Sequence, residues 1–383
     1  MPRTREVDRY LLGAALVAAA FGVVMVASAS APLAREYYDL PEGEFAFRQA
    51  MAVLLGAGAL LAATFVPLDW LTNRKVAFGA LFVTWGLLLA AYLQPTVAGT
   101  HRWLRLPIGS LQPSAIAKVT LPLALAALIA YHRELRRDQK RTFLVAGGLV
   151  LVTFGLVLAE PDLGSAVLLV VAAAALLLLA DMPWKPMALA GAALVPVFLV
   201  AIALKPYRVE RVRSFFGSTS YQVHQSLIAL GRGGLIGEGP GASVQKLFYL
   251  PEAHTDFIFA IAGEELGFAG ALAILGVLGV VVWRGFRAAG RASALSHALL
   301  AAGLTTTIAV QALLNVSVCL KLLPAKGLPL PLISSGGSDV VLTMAAIGLL
   351  LNIAKEGACP RWSSPAAARA APSSPASRSP RRW

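Results

Sequence analysis

Four polar residues crowd the mouth of an apolar run in the segment YLPEAHTDFIFA, Tyr249 to Ala260: Glu252, His254, Thr255 and Asp256. Charges this close set one another's proton affinity, and a carboxylate within reach of a hydroxyl can take its proton. Asp256 or Thr255 could equally be the N-cap of the helix that follows. The same run holds Glu264 and Glu265, and carboxylates inside a membrane span are costly enough to mark functional sites. At about 100° per residue, Glu264 lies roughly 80° around from Asp256 and Glu265 roughly opposite. A straight helix cannot bring both to Asp256. Gly263 offers a break, with one or both glutamates anchoring loop backbone instead.

Further candidates lie elsewhere. Lys118 follows QPSAIA at the start of another apolar run; it either snorkels to the interface or faces the same cavity as Asp256. Asp162, in EPDLGS, stands at a helix end on the same side, and a carboxylate–lysine pairing there would offset part of the desolvation cost. The stretch 205–256 is too long for a plain connector. Its Arg208 and Arg211 have helical spacing and suit a phosphate-bearing ligand; Lys246 adds a further cation. GRGGLIGEGPGAS has six glycines in thirteen residues. It lacks the Walker pattern and a strand–helix setting, so tight turns in a compact re-entrant loop explain it better.

The elements that must position these groups are membrane helices. The 383 residues are 57% hydrophobic and 14% charged, against ~25% charged in soluble domains. Ten apolar runs approach the ~20 residues a span requires: 10–31, 47–67, 74–93, 113–131, 142–159, 165–181, 187–204, 257–282, 298–320 and 339–354. The first exceeds a signal-peptide core and reads as a retained helix. The fold class is therefore an all-α polytopic membrane protein. The net charge of +13 does not point to nucleic acid, because it gathers on one side. HRELRRDQKR (132–141), WRGFRAAGR (283–291) and Asn73–Lys75 fall with the N-terminus, whereas the 32–46 connection is acidic. The positive-inside rule then gives N-in, C-in, with a large outer loop, 205–256, between helices 7 and 8. Segments 99–118, 160–165, 205–256 and 321–338 all face outward, so a site opens outward. Residues 1–354 form the transmembrane domain. The Ser-, Pro-, Ala- and Arg-rich residues 355–383 read as a disordered basic tail, able to touch anionic membrane lipid. Cys319 and Cys359 lie apart and form neither a disulfide framework nor a metal site.

Five stretches in this order resemble the SEDS family of cell-wall proteins (RodA, FtsW, SpoVE): RWLRL with QPSAIAK, EPDLGS, YRVERVRSFF…YQVHQSLIALGRGGLIGEGPG, SVQKLFYLPEAHTDFIFAIAGEELG and LLPAKGLPLPLISSGGS. The resemblance runs from the first helix to about residue 354 and is closer to the FtsW/SpoVE branch than to RodA. It implies a peptidoglycan glycosyltransferase of the bacterial cytoplasmic membrane that polymerises lipid II into glycan strands on the outer face. Asp256 matches the family's essential outer-loop aspartate, Arg102 and Trp103 its Arg-Trp pair, and Lys118 its cavity lysine. His254 and Ser334 enter as supporting substrate contacts beside Asp162, Arg208, Arg211 and Lys246. The implied partner is a class B penicillin-binding protein, and the implied cofactor is a divalent cation, Mg2+ or Mn2+.

The chain departs from the family pattern in places. Ala115 stands where QPSE has its glutamate, Ser335 replaces a common tyrosine, Asp339 stands where serine is common, and Lys321 where glycine precedes LLP. Two rival functions suit ten helices around a polar cavity: a lipid II flippase, or a scaffold that only positions a penicillin-binding protein.

Overall fold

The computed structural model describes residues 7–356 except 95–101, 107–108, 136–137, 205–208, 211–212, 214, 216, 218–219 and 325–326. Its long helices are α1 (Arg9–Tyr37), α2 (Glu44–Ala63), α4 (Arg74–Leu93), α5 (Pro113–Glu134), α6 (Gln139–Ala159), α7 (Leu163–Leu179), α8 (Trp184–Ala203), α10 (Ile258–Arg291), α11 (Leu295–Cys319) and α12 (Gly337–Glu356). Each of the ten expected apolar runs is thus a helix. Eight are long and apolar enough to cross a membrane; α7 and the apolar part of α8 are shorter. Short α3 (Leu68–Leu71) and amphipathic α9 (Tyr221–Arg232) are further helices among the described residues.

The expected boundaries fall short at the basic ends. Helix α10 runs to Arg291, so WRGFRAAGR is its last turns rather than a loop. Residues 268–291, beyond a break at Gly267, rise about 1.5 Å each and already outrun a hydrocarbon core of roughly 30 Å. Helical hydrogen bonding continues past the apolar stretch, where Arg287 and Arg291 are exposed.

Helices α5 and α11 form the buried centre, and α7, α4, α10 and α12 pack around them. Helix α8 buries none of its described side chains. One end of the bundle gathers Arg74, Lys75, Arg133, Lys140 and Arg284 beside short turns. There Asn352 donates to the carbonyls of Ala63 and Val66 (3.1 and 2.7 Å), and Arg284 pairs with Asp8. The opposite end carries the long polar connections.

One element at that end was not expected. Leu104–Leu106 (β1) and Gly109–Leu111 (β2) form an antiparallel hairpin, with Leu104 opposite Leu111 and Arg105 opposite Ser110. A leucine–polar alternation three residues long carries no readable strand period in sequence. The hairpin matters because it delivers Arg102 and Trp103 on one side and the start of α5 on the other.

Helix α10 breaks at Gly267 (φ 67°, ψ −168°), four residues beyond the expected Gly263. The glycine-rich loop covers the break. Glu238 and Gly239 N–H donate to the Glu264 and Glu265 carbonyls (3.0 Å each), while Phe268 and Ala269 N–H donate to Gly234 and Leu235 (2.9 and 3.1 Å). A β-carbon on Gly237 would stand 2.2 Å from the Glu265 carbonyl oxygen, so only glycine permits the approach. Irregular backbone at membrane depth is tolerated where protein satisfies it in this way.

Candidate functional site

Helix α11 carries Gln311, Asn315 and Cys319 at four-residue spacing, which stacks them on one face. Gln311 donates to the carbonyl of Pro329 (2.9 Å) and to Asp339 Oδ2 (2.8 Å). Asn315 donates to the carbonyls of Leu328 and Asp256, both at 2.8 Å. Cys319 Sγ lies 3.9 Å from that same Asp256 carbonyl. The segment before α10 and the 327–335 strap are therefore pinned to one buried helix. Ser335 N–H closes the pair by donating to the His254 carbonyl at 2.9 Å.

This pinning sets Asp256. The N–H groups of Thr255, Asp256 and Phe257 all donate to the Glu252 carbonyl (3.1–3.2 Å), which curls the chain just before α10. The helix N-cap is Phe257, with no side-chain cap. Neither Asp256 nor Thr255 caps it; Thr255 Oγ1 donates to Glu252 Oε2 at 2.7 Å instead. The half-buried Asp256 carboxylate turns towards the strap. Its Oδ2 lies 3.3 Å, and Arg102 Nη1 3.8 Å, from the point a β-carbon on Gly327 would occupy. A side chain at 327 would fill the space between carboxylate and guanidinium.

Arg102 is aimed by a bond to the turn before α7. Its Nη2 donates to the Pro161 carbonyl at 2.8 Å, while its Nε is buried without a partner among the described residues. Close by, Glu160 is fully buried with both carboxylate oxygens unpartnered among those residues. Burial and the neighbouring Asp162 push its pKa up to about 8, with Arg102 pulling the other way. Glu160 is therefore largely protonated at neutral pH. Burial also lowers the pKa of His254, against Glu252, and its ring packs edge-on to Phe45 at 5.2 Å.

Lys118 does not snorkel. It is 8% exposed, and its Nζ donates to Asp339 Oδ1 at 2.5 Å and Gln311 Oε1 at 3.0 Å. A cavity of about 20 Å3 opens beside the pair, lined in part by Ala115, Thr307 and Thr343. The carboxylate expected to pair with Lys118, Asp162, is engaged elsewhere. Asp162 Oδ1 caps α7 through Ser165 N–H (3.1 Å), and Oδ2 accepts from Gln112 and Ser114 (3.1 Å each). Both Asp162 oxygens are thus satisfied by the cap of α7 and the start of α5, while Lys118 takes its anion from Asp339.

The remaining sequence candidates divide. Trp103 is half-buried beside Arg102. Ser334 Oγ accepts from Leu330 N–H (2.8 Å), and its carbonyl from Gln49 (3.2 Å), which shapes the strap. Lys246 joins a different centre: its Nζ donates to Glu265 Oε1 (2.9 Å), Ser28 Oγ (2.9 Å) and the Gly241 carbonyl (2.6 Å). Arg208 and Arg211 lie outside the described residues. Sequence reasoning passed over Gln311, Asn315 and Glu160, and gave Asp339 no role. Two amides four residues apart in an apolar run are a readable signal, since such side chains hydrogen-bond across membrane helices.

Glu264 anchors loop backbone, as the break in α10 requires. It accepts from Ser243 Oγ (2.5 Å) and from the N–H groups of Val244 and Gln245 (3.2 Å each), with Arg232 at 3.7 Å. Among the described residues no three His, Cys, Asp or Glu side chains converge on a metal position.

Comparison with known proteins agrees with this geometry. The family model described as "Cell cycle protein", FtsW/RodA/SpoVE, matches residues 8–358. A probable peptidoglycan glycosyltransferase FtsW from Coxiella burnetii is 38% identical over 360 residues, covering 91% of this chain and 96% of the relative. Its counterpart from Thioalkalivibrio sulfidiphilus is 39% identical over 363 residues, covering 92% and 90%. Among solved structures, a chain of a peptidoglycan synthase complex that coordinates polymerization and crosslinking superposes with a TM-score of 0.74 at 26% identity, covering 92% of this chain and 99% of that one. The rod shape determining protein RodA of Thermus thermophilus gives 0.69 at 26% identity, covering 92% and 98%. With the match spanning nearly every helix, the chain belongs to the FtsW/RodA/SpoVE family, on its FtsW branch.

Proposed function

We propose that this protein is a peptidoglycan glycosyltransferase of the bacterial inner membrane, polymerising lipid II at the end of the bundle that carries Asp256. The carrying observation is the convergence of Asp256 Oδ2 and Arg102 Nη1 on Gly327: a base and a cation facing one gap. Glycan extension needs both. The acceptor 4-hydroxyl loses its proton to Asp256 as its oxygen bonds to the anomeric carbon of the donor. The bond from that carbon to the polyprenyl diphosphate breaks, and fixed cations stabilise the departing charge. Arg102, facing the same gap as Asp256, is one such cation. Lys118 has committed two of its three N–H donors and keeps the third. Arg208 and Arg211 join them on sequence grounds.

The basic residues at the opposite end favour a cytoplasmic placement for it, which turns the Asp256 end outward. The superposition on a synthase complex supports a class B penicillin-binding protein as partner. A hard divalent cation would be an addition carried in with the substrate diphosphate, since such ions commonly bind through one or two carboxylates plus phosphate oxygens. No step above depends on it.

The test is polymerisation of lipid II by the detergent-purified protein. Wild type should make glycan chains; Asp256→Asn should make none while eluting and melting like wild type. Wild-type-like product from the Asn variant would sink the assignment of the base. A wild-type protein that moves lipid II across vesicles yet makes no glycan would favour the flippase reading, and a scaffold predicts that Asp256 substitutions are harmless.

A further inference from the structure

The basic end of the bundle holds a cleft that the glycosyltransferase reading does not use. About 300 Å3 opens between α4, α5 and α6, lined by Arg74, Lys75, Phe78, Leu128, His132 and Val145. The three helices pack on one another, so the cleft lies at their common junction. We propose that it binds one anionic phospholipid, with the phosphate held by Arg74 and Lys75 and an acyl chain laid along Phe78, Leu128 and Val145. This site stands whether or not the other end of the bundle makes glycan.

The sequence builds the cleft in two rungs. Arg74 precedes Phe78 by four residues on α4, Leu128 precedes His132 by four on α5, and Arg141 precedes Val145 by four on α6. Residues so spaced share a helix face, about 6 Å apart along the axis. Helices α4 and α6 begin at this end and α5 finishes there. On each of them, therefore, the polar member stands at the rim and the apolar member one turn deeper. Polar rim over hydrocarbon wall is the order of a phospholipid read from headgroup to chain. The positive-inside bias accounts for basic residues at this end, but it requires neither a cleft nor an apolar rung beneath them.

The rim is arranged for an anion. Arg74 lies over the Tyr131 ring, 4.3 Å from its centroid, a stacking that steadies the guanidinium and leaves its N–H edge for phosphate oxygens. Among the described residues no carboxylate pairs with Arg74, Lys75 or Arg141. Two neighbouring acids are engaged elsewhere: Asp138 accepts from Lys140 N–H at 3.1 Å, and Asp181 lies 3.6 Å from Arg133. The back wall is fixed as well, because buried His132 shares a 2.8 Å hydrogen bond with Thr142 Oγ1 that ties α5 to α6. A guanidinium beside an ammonium suits the charged oxygens of a phosphodiester, and basic pockets between membrane helices bind anionic headgroups. Free phosphate would satisfy the cations and leave the apolar rung unused. A zwitterionic lipid would bring its own cation to a rim that already carries two.

The test uses the full-length protein in neutral detergent and reads the rise in melting temperature on adding phosphatidylglycerol, phosphatidylcholine or inorganic phosphate. Phosphatidylglycerol should give a saturable rise, and the other two should give none. Arg74→Gln/Lys75→Gln should weaken the apparent affinity about thirtyfold, roughly a factor of five for each cation. Val145→Trp keeps both cations but fills the apolar rung, and it should abolish the saturable rise. Arg287→Gln/Arg291→Gln removes the same charge from the end of α10 and should leave the affinity within about twofold. Native mass spectrometry counts bound lipid on the same variants, so one that melts low is still scored. An α10 control that loses as much as the cleft variant would overturn the proposal by making the effect general charge attraction. An equal rise with phosphatidylcholine or with inorganic phosphate would overturn it too, as would undiminished binding in Val145→Trp.

Discussion

Glu264 and Asp339 are both carboxylates buried among apolar helices, yet their oxygens are occupied by different kinds of partner. Glu264 is filled by backbone: the N–H groups of Val244 and Gln245, with Ser243 Oγ, bind it, and Arg232 stands behind. Asp339 is filled by side chains from two other helices, Lys118 and Gln311, beside a cavity. Glu265 is also filled by side chains, Lys246 and Ser28, in a contact that ties α1 to α10. The lesson concerns how buried charge is read. Cost alone marks a carboxylate in a membrane helix as important, but the partners decide whether it holds the fold or serves the chemistry. An acid saturated by loop backbone is an anchor. One that faces a cation beside open volume is part of a site.

The sharpest way to break this distinction is at the anchor. Glu264→Ala leaves two backbone N–H groups and a hydroxyl buried without partners, a loss of about 3–5 kcal/mol. It should appear as a large drop in melting temperature and rapid proteolysis within residues 231–245. Retained stability with lost glycan synthesis would place Glu264 in the site instead. Gly237→Ala attacks the same centre through backbone: φ is +86° and the new carbon would meet the Glu265 carbonyl at 2.2 Å. A loss of roughly 2–4 kcal/mol is expected, again without a selective effect on kcat.

The site side predicts the opposite profile. Asn315→Ala frees the carbonyls of Asp256 and Leu328, at about 1–2 kcal/mol of stability. Because it lets the base drift, polymerisation should fall roughly tenfold to a hundredfold. Equal loss in stability and rate across a temperature series would make Asn315 an anchor like Glu264.

The last effect, on stability alone, concerns Glu160. Its pKa is raised from 4.5 to about 8, so the folded state holds its proton more tightly than the unfolded chain. The stability this contributes is complete below pH 4.5 and is lost as pH rises through 8. Glu160→Gln mimics the neutral form, so it should match wild type at low pH and melt a few degrees higher by about pH 9. Thermal melts across that range read the difference directly, and a pH-independent difference would remove the assigned proton.

Much of this was legible in the chain. Apolar runs of the right length gave each helix, because the hydrocarbon thickness fixes the length a span must have. The glycine-rich stretch read correctly as tight backbone, but the break expected at Gly263 lies at Gly267, and of the two glutamates only Glu264 binds loop backbone. The hairpin at Leu104–Leu111 was not legible, being too short to show a period. The pairing of Lys118 was misassigned to Asp162, because Asp162 stood nearer in the motif order and no sequence pattern reports which helix lies across a cavity.

By itself, the sequence determined the membrane helices, their basic and polar ends, and Asp256 as the leading candidate. The helices and their ends follow from composition, length and local spacing, which each segment carries alone; Asp256 leads only through the resemblance to the family. Only the tertiary structure decided that Arg102 meets Asp256 across Gly327 and that Asp339 faces Lys118. Likewise, it placed Ala115 on the cavity that Asp339 also lines. Such contacts join residues hundreds of positions apart, and their existence depends on how α5, α11 and α12 pack together.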